Sequence, residues 1–285
     1  MVKQRTIKTE EFEWNVWETG SPNSSCVVVC LHGFMGTGED WVPLMQRLSE
    51  HTRCIAVDLP GHGKTRGDLE KNPWKNVMQE MIRLFNALTI PPPVVLGYSM
   101  GGRLAIAIAE AMKYQVRGLI VESALPGIDD ELERLERYHQ DLERALDLTI
   151  QDFDQFLQRW YDQPLFASLR QHPEFQQLME QRFRDNDPLQ LAIALKVLSV
   201  AHQPSYWQWL GATTLPVLFL AGEKDTKYAA IAQRVAALHN ASVRVEIVPG
   251  AGHTIHFEAP ERFAQLVEQF LSQVCWLRTT REFHK

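Results

Sequence analysis

The chain has 285 residues, of which 45% are hydrophobic and 22% charged, a composition typical of globular proteins with a sizeable buried core. Its formal net charge of −6 argues against a nucleic-acid-binding surface, because such surfaces need a basic patch or stripe. No apolar run approaches the roughly 20 residues of a membrane span, and the charged N-terminal segment lacks the apolar core of a secretory signal, so we expect neither.

Apolar, β-branched runs recur along the chain and alternate with segments of helical periodicity. The opening segment IKTEEFEWNVWETG alternates apolar and polar residues and predicts an antiparallel edge of a sheet. Six later runs predict strands buried on both faces of a parallel sheet, namely 26–33, 53–61, 92–99, 116–123, 216–225 and 243–253. Helical spacing is found in 41–51, 77–88 and 228–238. This alternation predicts an α/β fold with a doubly wound, mostly parallel sheet.

Residues 125–205 break this alternation with dense charge, many aromatic residues and no strand-like run. They predict several amphipathic helices inserted between two strands of the sheet. Because α/β sheets bind ligands at the carboxyl ends of their strands, we interpret this insertion as a helical lid over that edge. The core domain would then comprise residues 1–124 and 206–285.

The pentapeptide GYSMG, residues 97–101, fits the pattern G-x-S-x-G between a predicted strand and a predicted helix. This context places Ser99 on a sharp turn with its hydroxyl above the sheet. A serine hydroxyl reacts only when a neighbouring imidazole takes its proton. We assign that role to His253, which follows the last predicted strand, with His256 as the alternative.

An acid must orient the imidazole and stabilise its cation. Asp225 ends the strand-plus-loop VLFLAGEKD and is our choice, with Glu223 and the more distant Asp58 as alternatives. The chain order Ser99, Asp225, His253 is that of α/β-hydrolases, so we expect that fold. The backbone N–H groups of Met100, after the serine, and Phe34, in LHGFMG, are the expected oxyanion-hole donors.

Several strings extend beyond this general pattern: LHGFMGTGEDW, DLPGHGKT, GYSMGGR, ESALPG, WYDQPLFASL, AGEKDTKY and GAGHTIHFEAPE. Over residues 26–272 the chain resembles the 2-succinyl-6-hydroxy-2,4-cyclohexadiene-1-carboxylate synthases of menaquinone and phylloquinone biosynthesis. The resemblance implies a cofactor-free lyase that eliminates pyruvate from an enolpyruvyl-cyclohexene substrate. In such enzymes a serine–histidine–aspartate triad, which here would be Ser99, His253 and Asp225, makes the serine a base that removes a ring proton. This role of Ser99 is a hypothesis that rests on the resemblance.

A substrate with three carboxylates needs cations, and the resemblance implies three arginines. Arg103, one helical turn after the serine, would bind a carboxylate through the bidentate geometry of its guanidinium. Arg137 is the second, with Arg134 one turn away as an alternative. Arg184 in EQRFRDNDP is the third, with Arg182 as its alternative.

Three more residues match binding positions of the resembled family. Tyr98 and Trp160 would pack against the ring and the succinyl chain, and Lys227 would add a cation. Trp160 is equally compatible with a place in the lid's own core, and Lys227 with an exposed position.

Two other function classes stay open at this point. A serine hydrolase acting on an ester, or on a carbon–carbon bond beside a ketone, would use the same residues, and a ligand-binding receptor could retain them. Four cysteines without a bridging or metal-ligand spacing predict buried thiols, a cytoplasmic protein and no metal site. The expected partner is a small-molecule tricarboxylate substrate. A monomeric protein is compatible with the sequence.

Overall fold

One twisted sheet forms the centre of the computed structural model, which describes residues 1–276. Its nine strands are β1 (Lys3–Lys8), β2 (Phe12–Thr19), β3 (Val27–Leu31), β4 (Arg53–Val57), β5 (Arg66–Gly67), β6 (Val94–Tyr98), β7 (Gly118–Glu122), β8 (Val217–Gly222) and β9 (Val243–Val248). The strand order is β1-β2-β4-β3-β6-β7-β8-β9, and the short β5 pairs with β2. All six strands predicted to be parallel are confirmed, and they pair in parallel from β4 to β9.

The opening segment forms a hairpin of two strands at one edge of the sheet, as its alternating pattern predicts. β1 and β2 pair antiparallel, and β2 continues antiparallel onto β4. The turn between them is closed by the Thr9 N–H, which donates to the carbonyl of Phe12 at 2.9 Å. The hairpin therefore adds an antiparallel edge to an otherwise parallel sheet.

Helices cover both faces of the sheet and fill the connection between β7 and β8. They are α1 (Val42–Leu48), α2 (Trp74–Ala87), α3 (Met100–Met112), α4 (Glu131–Ile150), α5 (Phe153–Tyr161), α6 (Phe175–Asp185), α7 (Pro188–Val197), α8 (Trp207–Ala212), α9 (Thr226–Ala236), α10 (Ile255–Glu258) and α11 (Pro260–Leu271). One apolar core lies between the sheet and helices α2, α3 and α9, and a second lies between the sheet and α1 and α11. The α/β fold predicted from the sequence is confirmed.

The connection from β7 to β8 builds an apolar cluster of its own. Phe156, Leu157, Tyr161, Leu178 and Leu191 are buried together there, where α5, α6 and α7 meet. α4 begins at a capping aspartate, Asp130, whose carboxylate accepts the N–H of Glu133 at 2.9 Å. The described part of this connection is helical or irregular and contains no strand.

Three further observations concern the whole described chain. No helix among residues 1–276 is long and apolar enough to cross a membrane. All four cysteines are buried and free. Residues 277–285 of the predicted core lie outside the described residues.

Candidate active site

Ser99 lies at the sharp turn between β6 and α3, with a left-handed φ of 50°. The turn is possible because glycines stand on both sides of the serine. A Cβ on Gly97 would lie 2.2 Å from the carbonyl oxygen of Gly101, and one on Gly101 would lie 2.3 Å from the carbonyl oxygen of Leu31. The strain and the close packing together hold the serine hydroxyl above the carboxyl edge of the sheet.

Three side chains from three loops form one hydrogen-bonded line. The Nε2 of His253 lies 3.1 Å from Ser99 Oγ, and its Nδ1 lies 2.6 Å from a carboxylate oxygen of Asp225. Because an ionised carboxylate only accepts, Nδ1–H is the donor, which leaves the Nε2 lone pair of the neutral ring for the serine hydroxyl. Asp225 and His253 are buried, so water competes little for these contacts.

The alternative base and acids take part in other contacts. His256 bonds through Nδ1 to Glu122 at 2.9 Å, and Glu223 accepts the N–H of Gly250 at 2.8 Å. Asp58 organises a neighbouring loop, where it accepts hydrogen bonds from two side chains and two backbone N–H groups. None of these three has a hydrogen bond to His253 or Ser99 within the described chain.

The expected oxyanion-hole residues, Phe34 and Met100, both line the same cavity as Ser99. Met100 is the first residue of α3, and the first N–H groups of a helix have no partner inside it. The positive end of the helix dipole is also located there. The arrangement is suited to a negative charge that develops beside Ser99.

A cavity of about 430 Å³ opens above Ser99, between the sheet edge and the helices that follow β7. Its lining combines apolar side chains with four cationic residues, Arg103, Arg137, Arg144 and Lys227, and with three acidic residues, Glu133, Glu136 and Asp141. Such a mixture of apolar surface and a few convergent charges is typical of small-molecule sites. The cavity is therefore the candidate substrate site.

Arg103 is 9% exposed and points from α3 into this cavity region. Its guanidinium donates to the Leu198 carbonyl at 2.9 Å and to Gln203 Oε1 at 3.2 Å. Burial, with a smaller contribution from Arg137, lowers the pKa of Arg103 to about 10, so the group remains cationic at neutral pH. No carboxylate within residues 1–276 forms an ion pair with it, so this buried positive charge has no direct ion-pair partner.

Arg137 lies on α4 and lines the cavity, whereas its alternative Arg134 donates to the carbonyl of Ile128. Arg137 Nε donates to both carboxylate oxygens of Asp141, at 2.9 and 3.0 Å. Asp141 is 1% exposed and also accepts from Arg144, at 3.0 Å. Sequence reasoning missed Arg144, although the spacing 137, 141, 144 places all three residues on one helix face.

The structure does not bring Arg184 to the cavity. Its side chain is exposed and pairs with Asp185 at 2.8 Å and Glu39 at 3.4 Å. Arg182, the alternative, is buried and forms a bidentate pair with Asp40, at 2.7 and 2.9 Å, beside a small second cavity that also borders Ser99. Burial lowers the pKa of Arg182 and Asp40 raises it, and the carboxylate prevails, so that pKa lies above its usual value.

The aromatic and lysine candidates occupy different positions. Trp160 lines the main cavity, with its ring 4.9 Å from that of Phe34. Tyr98 is buried and does not line the main cavity, and its hydroxyl is hydrogen-bonded to that of Thr254 at 2.9 Å. Lys227 stands at the cavity mouth, where partial desolvation and the nearby Arg137 lower its pKa.

Tyr228 was not singled out from the sequence, and it lines the cavity. Its ring lies 4.6 Å from that of His253, and its N–H donates to Asp225 at 3.2 Å. Burial raises the pKa of Tyr228, so its hydroxyl stays protonated at neutral pH. The position directly after DTK in AGEKDTKY, at the start of a predicted helix, was the available signal.

We expect Arg182→Ala to lower the free energy of unfolding by about 3–5 kcal/mol, because it leaves the buried carboxylate of Asp40 uncompensated. Arg184→Ala is the matched control on the same helix. Since Arg184 is exposed, its loss should change stability by no more than about 0.5 kcal/mol. Urea unfolding of both variants measures the difference, and equal losses would contradict the distinction between the two arginines.

Comparisons with known proteins agree with this geometry. A model of the "Alpha/beta hydrolase family" matches residues 28–266. The 2-succinyl-6-hydroxy-2,4-cyclohexadiene-1-carboxylate synthase of Yersinia enterocolitica is 32% identical over 88% of this chain and 88% of its own length. The chloroplastic protein PHYLLO of Arabidopsis thaliana is 33% identical over 91% of this chain, which spans 16% of that protein's length.

Similarity extends to solved structures. The structure of MenH from S. aureus superimposes with a TM-score of 0.84 at 29% sequence identity. The match covers 93% of this chain and 99% of that protein. Shared sequence and shared tertiary structure therefore extend over nearly the same length of chain.

Proposed function

Because the chain belongs to the α/β hydrolase family, and within it to the 2-succinyl-6-hydroxy-2,4-cyclohexadiene-1-carboxylate synthases, we propose that it is a carbon–oxygen lyase of quinone biosynthesis. The substrate is 2-succinyl-5-enolpyruvyl-6-hydroxy-3-cyclohexene-1-carboxylate, and pyruvate is eliminated from it. One observation carries the proposal beyond similarity: the line Ser99, His253, Asp225 opens into a cavity that contains the unpaired cation Arg103.

The bond changes follow from the positions of the double bonds. The substrate has one ring double bond, at carbon 3, and the product has two, at carbons 2 and 4. A proton must therefore leave carbon 2, the ring double bond must shift to carbon 4, and the carbon 5–oxygen bond must break. The released enolpyruvate takes up a proton to give pyruvate, and no net oxidation or reduction occurs.

Ser99 is the proposed base for the proton on carbon 2. His253 takes the hydroxyl proton, and Asp225 stabilises the imidazolium that forms. As the proton leaves, negative charge builds on the succinyl carbonyl conjugated with carbon 2. The N–H groups of Phe34 and Met100 are the proposed donors to that oxygen.

A carboxylate of the substrate supplies the ion-pair partner that Arg103 lacks among the described residues. We assign one carboxylate to Arg103, next to Ser99, and a second to Arg137 and Lys227 near the mouth. Arg144, held to Arg137 through Asp141, extends this second cationic site. Arg184 is left out of the binding set because its exposed ion pairs lie away from the cavity.

Aromatic contacts complete the proposed site. Trp160 packs against the substrate ring, and Tyr98 supports the site from beneath through its contact with Thr254. Residues 125–205 are the proposed lid, since they carry Arg137 and Trp160 over the edge of the sheet. A small-molecule substrate, a cytoplasmic location compatible with four free buried thiols, and no cofactor belong to the same proposal.

The deciding experiment is pyruvate release from the enolpyruvyl substrate, followed through coupled oxidation of NADH by lactate dehydrogenase. We expect catalytic release far above a blank without enzyme, and little hydrolysis of an uncharged ester such as p-nitrophenyl acetate. A serine hydrolase would use Ser99 as well, but it would not need the buried charge of Arg103. Rapid ester hydrolysis without acceleration of pyruvate release would replace the lyase with that alternative.

A further inference from the structure

A buried acid–imidazole pair lies beside Ser99, His253 and Asp225 and outside the proposed chemistry. Glu122 is the last residue of β7 and its side chain is fully buried, whereas the His256 ring on α10 is 7% exposed. One carboxylate oxygen of Glu122 lies 2.9 Å from His256 Nδ1. A buried carboxylate is costly unless its hydrogen bonds are satisfied, and His256 supplies those bonds to Glu122 through its ring and its backbone N–H.

Glu122 contacts both chain segments that carry the reacting pair. Its carbonyl oxygen accepts the Ser99 N–H at 2.8 Å, at the strained turn. Its carboxylate accepts the backbone N–H of His256 at 3.0 Å, in the segment that begins with His253. One residue at the end of one strand is thus bonded to the serine turn through its backbone and to the histidine segment through its side chain.

The surroundings leave the His256 ring little freedom. It packs against the rings of Trp41 at 4.7 Å and Tyr98 at 4.8 Å. Tyr98 in turn bonds to Thr254, the residue after His253. Movement of His256 would therefore be transmitted to Tyr98, which precedes Ser99, and to Thr254, which follows His253. Ser99 and His253 are in contact at 3.1 Å.

We propose that Glu122 is a positioning residue, which sets the distance between His253 and Ser99 by holding the segment 253–256 to the end of β7. The inference rests on the proposed role of Ser99 and His253 as a reacting pair. It predicts a loss of turnover rather than of substrate binding, because Glu122 does not line the main cavity. A misplacement of about 1 Å in a reacting group can cost about 10²-fold in rate.

The test compares Glu122→Ala, Glu122→Gln and Val121→Ala. Val121 is the buried neighbour of Glu122 on β7, and its truncation destabilises the same strand without touching His256. We expect Glu122→Ala to lower kcat by about 10–10²-fold with KM little changed. Glu122→Gln, which keeps an oxygen acceptor for the His256 N–H, should restore most of kcat.

A second readout separates this proposal from the proposed function. A fluorophosphonate labels an activated serine irrespective of the natural substrate: Oγ bonds to phosphorus, fluoride leaves, and His253 takes the proton. Slower labelling in Glu122→Ala but not in Val121→Ala supports positioning even if the wild type releases no pyruvate. The opposite result would be a Val121→Ala variant that loses as much Tm as Glu122→Ala and also loses as much kcat and labelling rate. Glu122 would then be merely structural, and the proposal would be overturned.

Discussion

Replacing Ser99 with alanine is expected to lower kcat for pyruvate release by about 10²–10⁴-fold, the range that a positioned base contributes. The reason is geometric: Ser99 Oγ is the group in line with His253 Nε2 that faces the cavity. KM should change little, since the proposed contacts of the carboxylates come from Arg103 and Arg137. Steady-state pyruvate release with purified variants measures both constants.

Two controls make the Ser99→Ala result interpretable. Thermal unfolding must show that the variant remains folded, and calorimetric titration with the diene product must show that the cavity still binds. Intact mass spectrometry of the wild type during turnover should find no covalent adduct, as expected for a base. Unchanged turnover in Ser99→Ala would refute the role of the serine, whereas an acyl adduct on it would show a nucleophile.

Arg103→Ala is expected to lower kcat/KM for the tricarboxylate by about 30- to 5,000-fold. This corresponds to the 2–5 kcal/mol typical of losing one partner of a buried charge pair. In the free protein the guanidinium already bonds to Leu198 and Gln203, and these contacts orient it without neutralising it. The substrate carboxylate would supply the missing charge.

Arg103→Lys tests whether charge alone suffices at this position. A lysine keeps the positive charge but loses the planar fork, so we expect it to recover only part of kcat/KM. Arg184→Ala is the matched control, because it removes an arginine whose ion pairs are exposed, and kcat/KM should be unaffected. An Arg103→Ala variant with wild-type kcat/KM would show that the substrate binds in another orientation.

The fold, and the grouping of Ser99, His253 and Asp225 in one candidate site, could be predicted from the sequence. Near-continuous apolar runs are typical of strands buried on both faces of a parallel sheet, and their alternation with segments of helical periodicity predicted the order of strands and helices. Ser99, Asp225 and His253 each stand at the C-terminal end of a predicted strand run, and parallel strands bring their carboxyl ends to one edge. The sequence therefore predicts that these three residues, far apart in the chain, lie at one site.

Which long side chains reach the cavity could not be predicted from the sequence, because it depends on how the helices dock. Arg182 and Arg184 stand on nearly opposite sides of α6, because a helix turns by about 100° per residue. Which side is buried depends on how α6 docks against the loop that carries Asp40, and local pattern does not fix that docking. The same holds for Glu122, whose bond to His256 joins two distant segments. Local periodicity sets which elements form, whereas charge pairing between elements depends on their relative placement in the folded chain.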